Sequence, residues 1–118
     1  MRHYVFGFQQ LELIRFGLTA EDALFLRTLI NYLGKNNKNI KQFYSEKHSD
    51  AVYLINESQI IKLLPIFLTR DNYIDYIRKL SGYKKNTKKL YPLEYFYIKS
   101  ELWICFNWNV IYEIEGEK

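Results

Sequence analysis

NESQIIKLLPIFLTRDNYIDYIRKL, residues 56–80, is the stretch on which the fold turns. Asn56 is a helix N-cap residue, and Gln59 stands three positions on, in the capping-box place. Ile60, Ile61, Leu63 and Leu64 give a short helix its buried side. Pro65 stops that helix, because proline lacks the N–H that a helix interior needs. Residues 65–68 then read as a tight turn. Thr69 is a second cap candidate, with Asp71 in the first turn, where a carboxylate favours the positive end of the helix dipole. On a helix over residues 70–80, Tyr73, Ile74, Ile77 and Leu80 share one face. Asn72, Asp75, Tyr76 and Lys79 lie opposite, flanked by Asp71 and Arg78, and Ser81-Gly82 ends the helix. Two short helices around a tight turn, the second with a polar outer face, make the pattern of a helix-turn-helix.

On the N-terminal side, Val52-Tyr53-Leu54-Ile55 reads as a strand. Residues 35–51 are polar and read as a loop with a short strand near 40–44. Residues 9–33 read as two helices. Leu11, Leu13, Ile14 and Phe16 mark the first, and Gly17 stands where a helix-ending glycine takes the left-handed conformation. Thr19 with Asp22 caps the second helix. Ala23, Leu26, Leu29, Ile30 and Leu33 form its apolar stripe, and Gly34 closes it.

On the C-terminal side, Lys84 to Lys89 is a basic loop. From Phe96 to Ile114 every even position except Ser100 is apolar, a period-2 signal for antiparallel strands. Lys99-Ser100-Glu101 and Asn107-Trp108-Asn109 are the expected turns. The odd positions include Tyr95, Tyr97 and Trp103, so an outer face is aromatic in part. Two helices, a strand, a short helix, a turn, a second short helix, a basic loop and a hairpin come in the order of a winged helix-turn-helix. The expected fold class is therefore α+β, a single domain over residues 1–118 with an extended antiparallel β wing.

Composition narrows the function. The 118 residues are 48% apolar and 25% charged, enough to bury a core. One cysteine excludes an internal disulfide and a multi-cysteine zinc site, and fits a reducing, cytoplasmic setting. No run approaches the roughly 18 uncharged apolar residues of a membrane span, and the apolar N-terminus is too short for a signal peptide. His3 and His48 have no Cys or His neighbour at ligand spacing. Cys105 reads as an inert strand residue, and the five glycines form no phosphate loop. Glu21-Asp22 suits a helix start. An enzyme, a metal and a cofactor are all unexpected.

Charge points elsewhere. Net charge is +4, yet residues 70–89 alone carry seven basic against two acidic residues, +5. The remaining 98 residues sum to −1. A basic segment on a nearly neutral body is the footprint of a polyanion partner.

Three blocks carry a family resemblance. Phe6-Gly7-Phe8-Gln9-Gln10, then Leu13, Gly17-Leu18 and Asp22-Ala23-Leu24, resembles the opening of winged-helix domains in replication initiator proteins. Those proteins occur in phages, plasmids and other mobile elements of low-GC bacteria. Val52-Tyr53-Leu54-Ile55 leading to Ile60 and Leu64-Pro65-Ile66 is a second match, and Ile77-Arg78-Lys79-Leu80 a third. Together they cover most of residues 4–83. Family members usually continue into a second domain, often of the primosomal DnaD type, which these residues do not include. Asp71 and Asp75 on the second short helix, and the long aromatic wing, also depart from the pattern.

The resemblance implies a DNA-binding protein acting in replication initiation or transcriptional control. Asn72 would read adenine edges, and Arg78 or Lys79 guanine or phosphate, with Arg70 and Tyr76 beside them. Lys84, Lys85, Lys88 and Lys89 would clamp the backbone of double-stranded DNA. The alternative is a phage-encoded inhibitor of the anti-CRISPR type, built on the same domain and binding a protein or ribonucleoprotein. Tyr95, Tyr97 and Trp103 would then form a partner surface or a homodimer surface, or stack the bases of a single strand.

Overall fold

The computed structural model describes residues 3–34, 40–82 and 90–116. The chain is α+β, with five helices and two antiparallel sheets among those residues. It begins with a small hairpin, β1 (Tyr4–Val5) and β2 (Phe8–Gln9). Phe6 and Gly7 between them both have positive φ, which matches the twist of a two-residue turn. Helix α1 (Gln10–Arg15) follows, and Gly17 at φ 72° lets the chain turn into α2 (Ala20–Gly34). Arg27 of α2 locks this end together. Its Nε donates to the Phe6 carbonyl at 2.8 Å, its Nη2 meets Glu115 at 2.6 Å, and its guanidinium lies 4.3 Å from the Phe8 ring centre.

Strands β3 (Gln42–Ser45) and β4 (Asp50–Leu54) form a hairpin; β3 is the short strand expected near 40–44, and β4 starts two residues before the strand expected at Val52. Helix α3 (Glu57–Leu63) is capped as its sequence requires, the Asn56 side chain accepting from the Gln59 N–H. It ends before Pro65. A turn brings the chain to α4 (Tyr73–Leu80), which starts three residues later than expected because Thr69 and Asn72 first close a capped turn. Ile77 and Leu80 of α4 are fully buried.

Strands β5 (Leu93–Ile98) and β6 (Glu101–Phe106) turn back at Lys99-Ser100, as expected. The strand expected to run on to Ile114 ends at Phe106. Residues Trp108–Glu115 are instead helix α5, and Asn107 is its N-cap rather than a strand turn. Buried Val110, Ile111 and Ile114 follow helical spacing, with Tyr112 exposed between them.

The four-stranded sheet has the order β3-β4-β6-β5, with Tyr53 opposite Ile104 and Phe96 opposite Trp103. One face carries Leu93, Leu102, Ile104 and Phe106 into the main core, where they join Phe8, Phe25, Leu26, Leu29, Ile60, Ile77, Ile111 and Ile114. The other face carries a second cluster, Val52, Trp103 and Cys105, backed by Leu54 and Phe96.

Candidate nucleic-acid interface

Helix α4 brings Asn72, Tyr76, Arg78 and Lys79 together, but it spends most of them inside the protein. The Asn72 amide is engaged at both ends: Oδ1 accepts from the Thr69 N–H at 2.7 Å and Nδ2 donates to the Phe67 carbonyl at 2.7 Å. Reading a base edge would cost it those bonds. Tyr76, expected on the outer face, packs its ring on Phe25 and Phe67, with centroids 5.7 and 5.2 Å away. Burial pushes its hydroxyl pKa up, and the nearby charges of Glu21 and Asp22 push the same way. Lys79 Nζ sits 2.7 Å from Oδ2 of Asp22, a carboxylate fully buried at the start of α2. Arg78 is half-buried. Arg70 is exposed in the turn, with Nε 3.7 Å from Glu57, a contact worth little in water.

Asp71, in the turn before α4, and Asp75, in its first turn, are exposed. Where α4 begins, a cleft of about 490 Å³ opens towards the β5–β6 turn, lined among others by Glu57, Arg70, Tyr73, Tyr97 and Glu101. Burial raises the Tyr73 hydroxyl pKa, followed by the charge of Glu57 and the neighbouring Tyr97. Arg70 offsets one of the two carboxylates, so the cleft carries only a small net negative charge beside its two phenols. The four residues expected to clamp a backbone, Lys84, Lys85, Lys88 and Lys89, lie outside the described residues.

The aromatic face of the wing also differs from expectation. Tyr97 is exposed and Tyr95 half-buried, with rings edge to face at 6.4 Å. Trp103 is only 5% exposed, so it offers no partner surface. It lies on the face opposite Tyr95 and Tyr97, against Val52 and Cys105, with the Phe43 ring edge-on at 5.0 Å. Burial, the first of several causes, raises the Cys105 thiol pKa to about 11, so it stays protonated and unreactive at neutral pH.

That face is finished by His48, which the sequence left unassigned. Its ring stacks on Phe96 at 5.4 Å, nearly parallel. Nδ1 is 2.8 Å from Ser45 Oγ, and Nε2 is 3.2 Å from Glu94 Oε2. Strands β3 and β5 are opposite edges of the sheet, so His48 carries the β3–β4 turn across to the far edge. Ser, His and a carboxylate in a row are also the parts of a nucleophile with its base. Here the row ties the β3–β4 turn to β5 through both ring nitrogens. The local signal was Ser45 three residues before His48 in a polar turn; the Glu94 partner is 46 positions away and has none.

Beside this pin lies a cleft of about 860 Å³, lined by Phe43, Ser45, Lys47, His48, Ser81, Glu94, Tyr95, Phe96 and Ile98. Among the described residues no group of three His, Cys, Asp or Glu could hold a metal ion, and no helix is long and apolar enough to cross a membrane. Comparison with protein-family models, with curated proteins and with solved structures returns no match.

Proposed function

We propose that this chain is a winged-helix domain that binds double-stranded DNA through its basic segment, residues 70–89. The observation that carries the reading is the place of β6 between β4 and β5. It joins the strand before α3 and the hairpin after α4 in one sheet, as a helix-turn-helix with a wing requires. The basic excess of residues 70–89, +5 in the sequence and smaller once Lys79 is paired with Asp22, supplies the attraction to phosphate. Contact is assigned to the C-terminal end of α4 and the lysines that follow in the sequence. Asn72 and Lys79 are engaged internally, so α4 contributes shape more than base reading. A role in replication initiation or transcriptional control on a mobile element follows from the family resemblance.

The test is affinity for a random duplex as a function of salt. Three to five neutralised phosphates give a slope of log K against log salt of about −3 to −5. Replacing Lys84, Lys85, Lys88 and Lys89 by Ala flattens that slope and weakens binding on all sequences alike. No duplex binding at ~50 mM salt would sink the reading.

A second reading, a protein or ribonucleoprotein partner as for an anti-CRISPR inhibitor, is favoured by one observation. The exposed Asp71 and Asp75 at the start of α4 complement a basic surface. Recovery of one host protein by the tagged chain after nuclease treatment supports it. Recovery that vanishes with nuclease returns the case to DNA.

A further inference from the structure

We propose that the cleft beside His48 takes an unpaired base of a single-stranded nucleic acid, stacked against Phe43. The inference rests on the nucleic-acid reading above and adds a second mode of contact to it. The cleft, about 860 Å³, is within the range of small-ligand sites and exceeds what one nucleoside fills. Its walls include Phe43 and Phe96 with the His48 imidazole, which already lies nearly parallel on the Phe96 ring, so the exposed ring left for a base is that of Phe43. Such flat π surfaces accept any base, because every base has a π face. Phe43 is 41% exposed and Ile98 37%, so apolar surface stands in water at this cleft, and a stacked base would cover it.

The polar groups match a nucleotide as well. Lys47 lines the cleft and brings a cation for the phosphate. Glu94 is half exposed and reaches His48 with one oxygen, leaving the other to accept from the exocyclic amine of adenine, cytosine or guanine. Ser45 and Ser81 line it as well, their hydroxyls engaged by the His48 ring and the Arg78 carbonyl. Ser81 also stands three positions before Lys84 in the sequence, so the cleft borders the end of α4 from which the basic segment continues. A paired duplex holds its bases in the stack and cannot place one here; a single strand can.

The experiment compares a fluorescein-labelled single-stranded oligonucleotide of about 12 nucleotides with a duplex of the same length, both at matched salt. The variants are Phe43→Leu, which keeps an apolar side chain and removes the ring, and Lys47→Ala at the exposed turn. Far-UV circular dichroism checks that each is folded. Phe43→Leu weakens single-strand binding by roughly tenfold and leaves the duplex affinity within about twofold. Lys47→Ala lowers the salt slope on the single strand by about one. Equal losses on single strand and duplex, or no loss on either, overturn the cleft assignment while the duplex reading stands. Absence of binding to both probes at ~50 mM salt overturns the two together.

Discussion

Two helices in this protein begin with the same device and use it differently. At the start of α2, the Thr19 N–H donates to Asp22 Oδ2 at 2.8 Å, and the Asp22 N–H donates to Thr19 Oγ1 at 3.2 Å. At the start of α4, the Thr69 N–H donates to Asn72 Oδ1 at 2.7 Å, and the Asn72 N–H donates to Thr69 Oγ1 at 3.2 Å. Each pair satisfies two backbone donors that a helix start leaves open. The difference is the third bond. Asp22 is buried and takes the ammonium of Lys79 from α4. Asn72 donates instead to the Phe67 carbonyl, which a carboxylate could not do. A charged box clamps one helix to another; a neutral box fixes the turn before its own helix.

The largest effect is expected at the charged box. Lys79→Ala leaves the Asp22 carboxylate buried with neutral donors only. Its Oδ1 has no hydrogen-bond partner among the described residues, so nothing else compensates. Urea unfolding should show a loss of about 2 kcal/mol, below that of a fully buried pair because Lys79 is 45% exposed. In an Asp22→Asn background the cap survives without its charge, and the same Lys79 change should then cost little. Equal costs in the two backgrounds would mean that Lys79 acts through packing, and the contrast between the boxes would collapse.

A smaller effect is expected at the neutral box. Asn72→Asp keeps the oxygen that accepts from Thr69 and replaces the donor to Phe67 by a second acceptor. Two acceptors then face each other at the turn, at a cost of about 1 kcal/mol. Asp22→Asn and Asn72→Asp are mirror substitutions, and a thermal scan of both checks whether each box needs its own residue. A protein that tolerates Asn72→Asp without loss would show that the turn is held by Pro65 and its packing.

The capping half of this comparison was legible in the sequence: Thr19 with Asp22, Asn56 with Gln59, Pro65 and Gly17 each act through neighbours within a few positions. The third bonds were not. Lys79 lies 57 positions from Asp22, and helical spacing put it on the outer face. Tyr76 shared that fate because its ring bends back onto Phe25. The missed helix α5 has a different cause. Val110 and Ile114 are four apart, and so fit both a strand of period two and a helix of period 3.6. Only buried Ile111 and exposed Tyr112 break the alternation. Trp103 was placed on an open face because alternation shows that a strand has two sides, and not that the far side is covered as well.

The least of the expected effects concerns the acids beside the neutral box. Asp71 and Asp75 are exposed, have no role in either box, and stand at the start of the helix assigned to DNA. Close to phosphate they would repel it. Replacing both by Asn should raise duplex affinity roughly threefold at low salt, with the gain fading as the screening length falls. The stability of the fold should fall by no more than about 0.5 kcal/mol, the share of the Asp75 carboxylate in the first turn of α4. An unchanged affinity would place the start of α4 away from the duplex and leave the binding to the lysines beyond its C-terminal end. A fall in affinity for a protein partner recovered after nuclease treatment would give these carboxylates a use that DNA binding denies them.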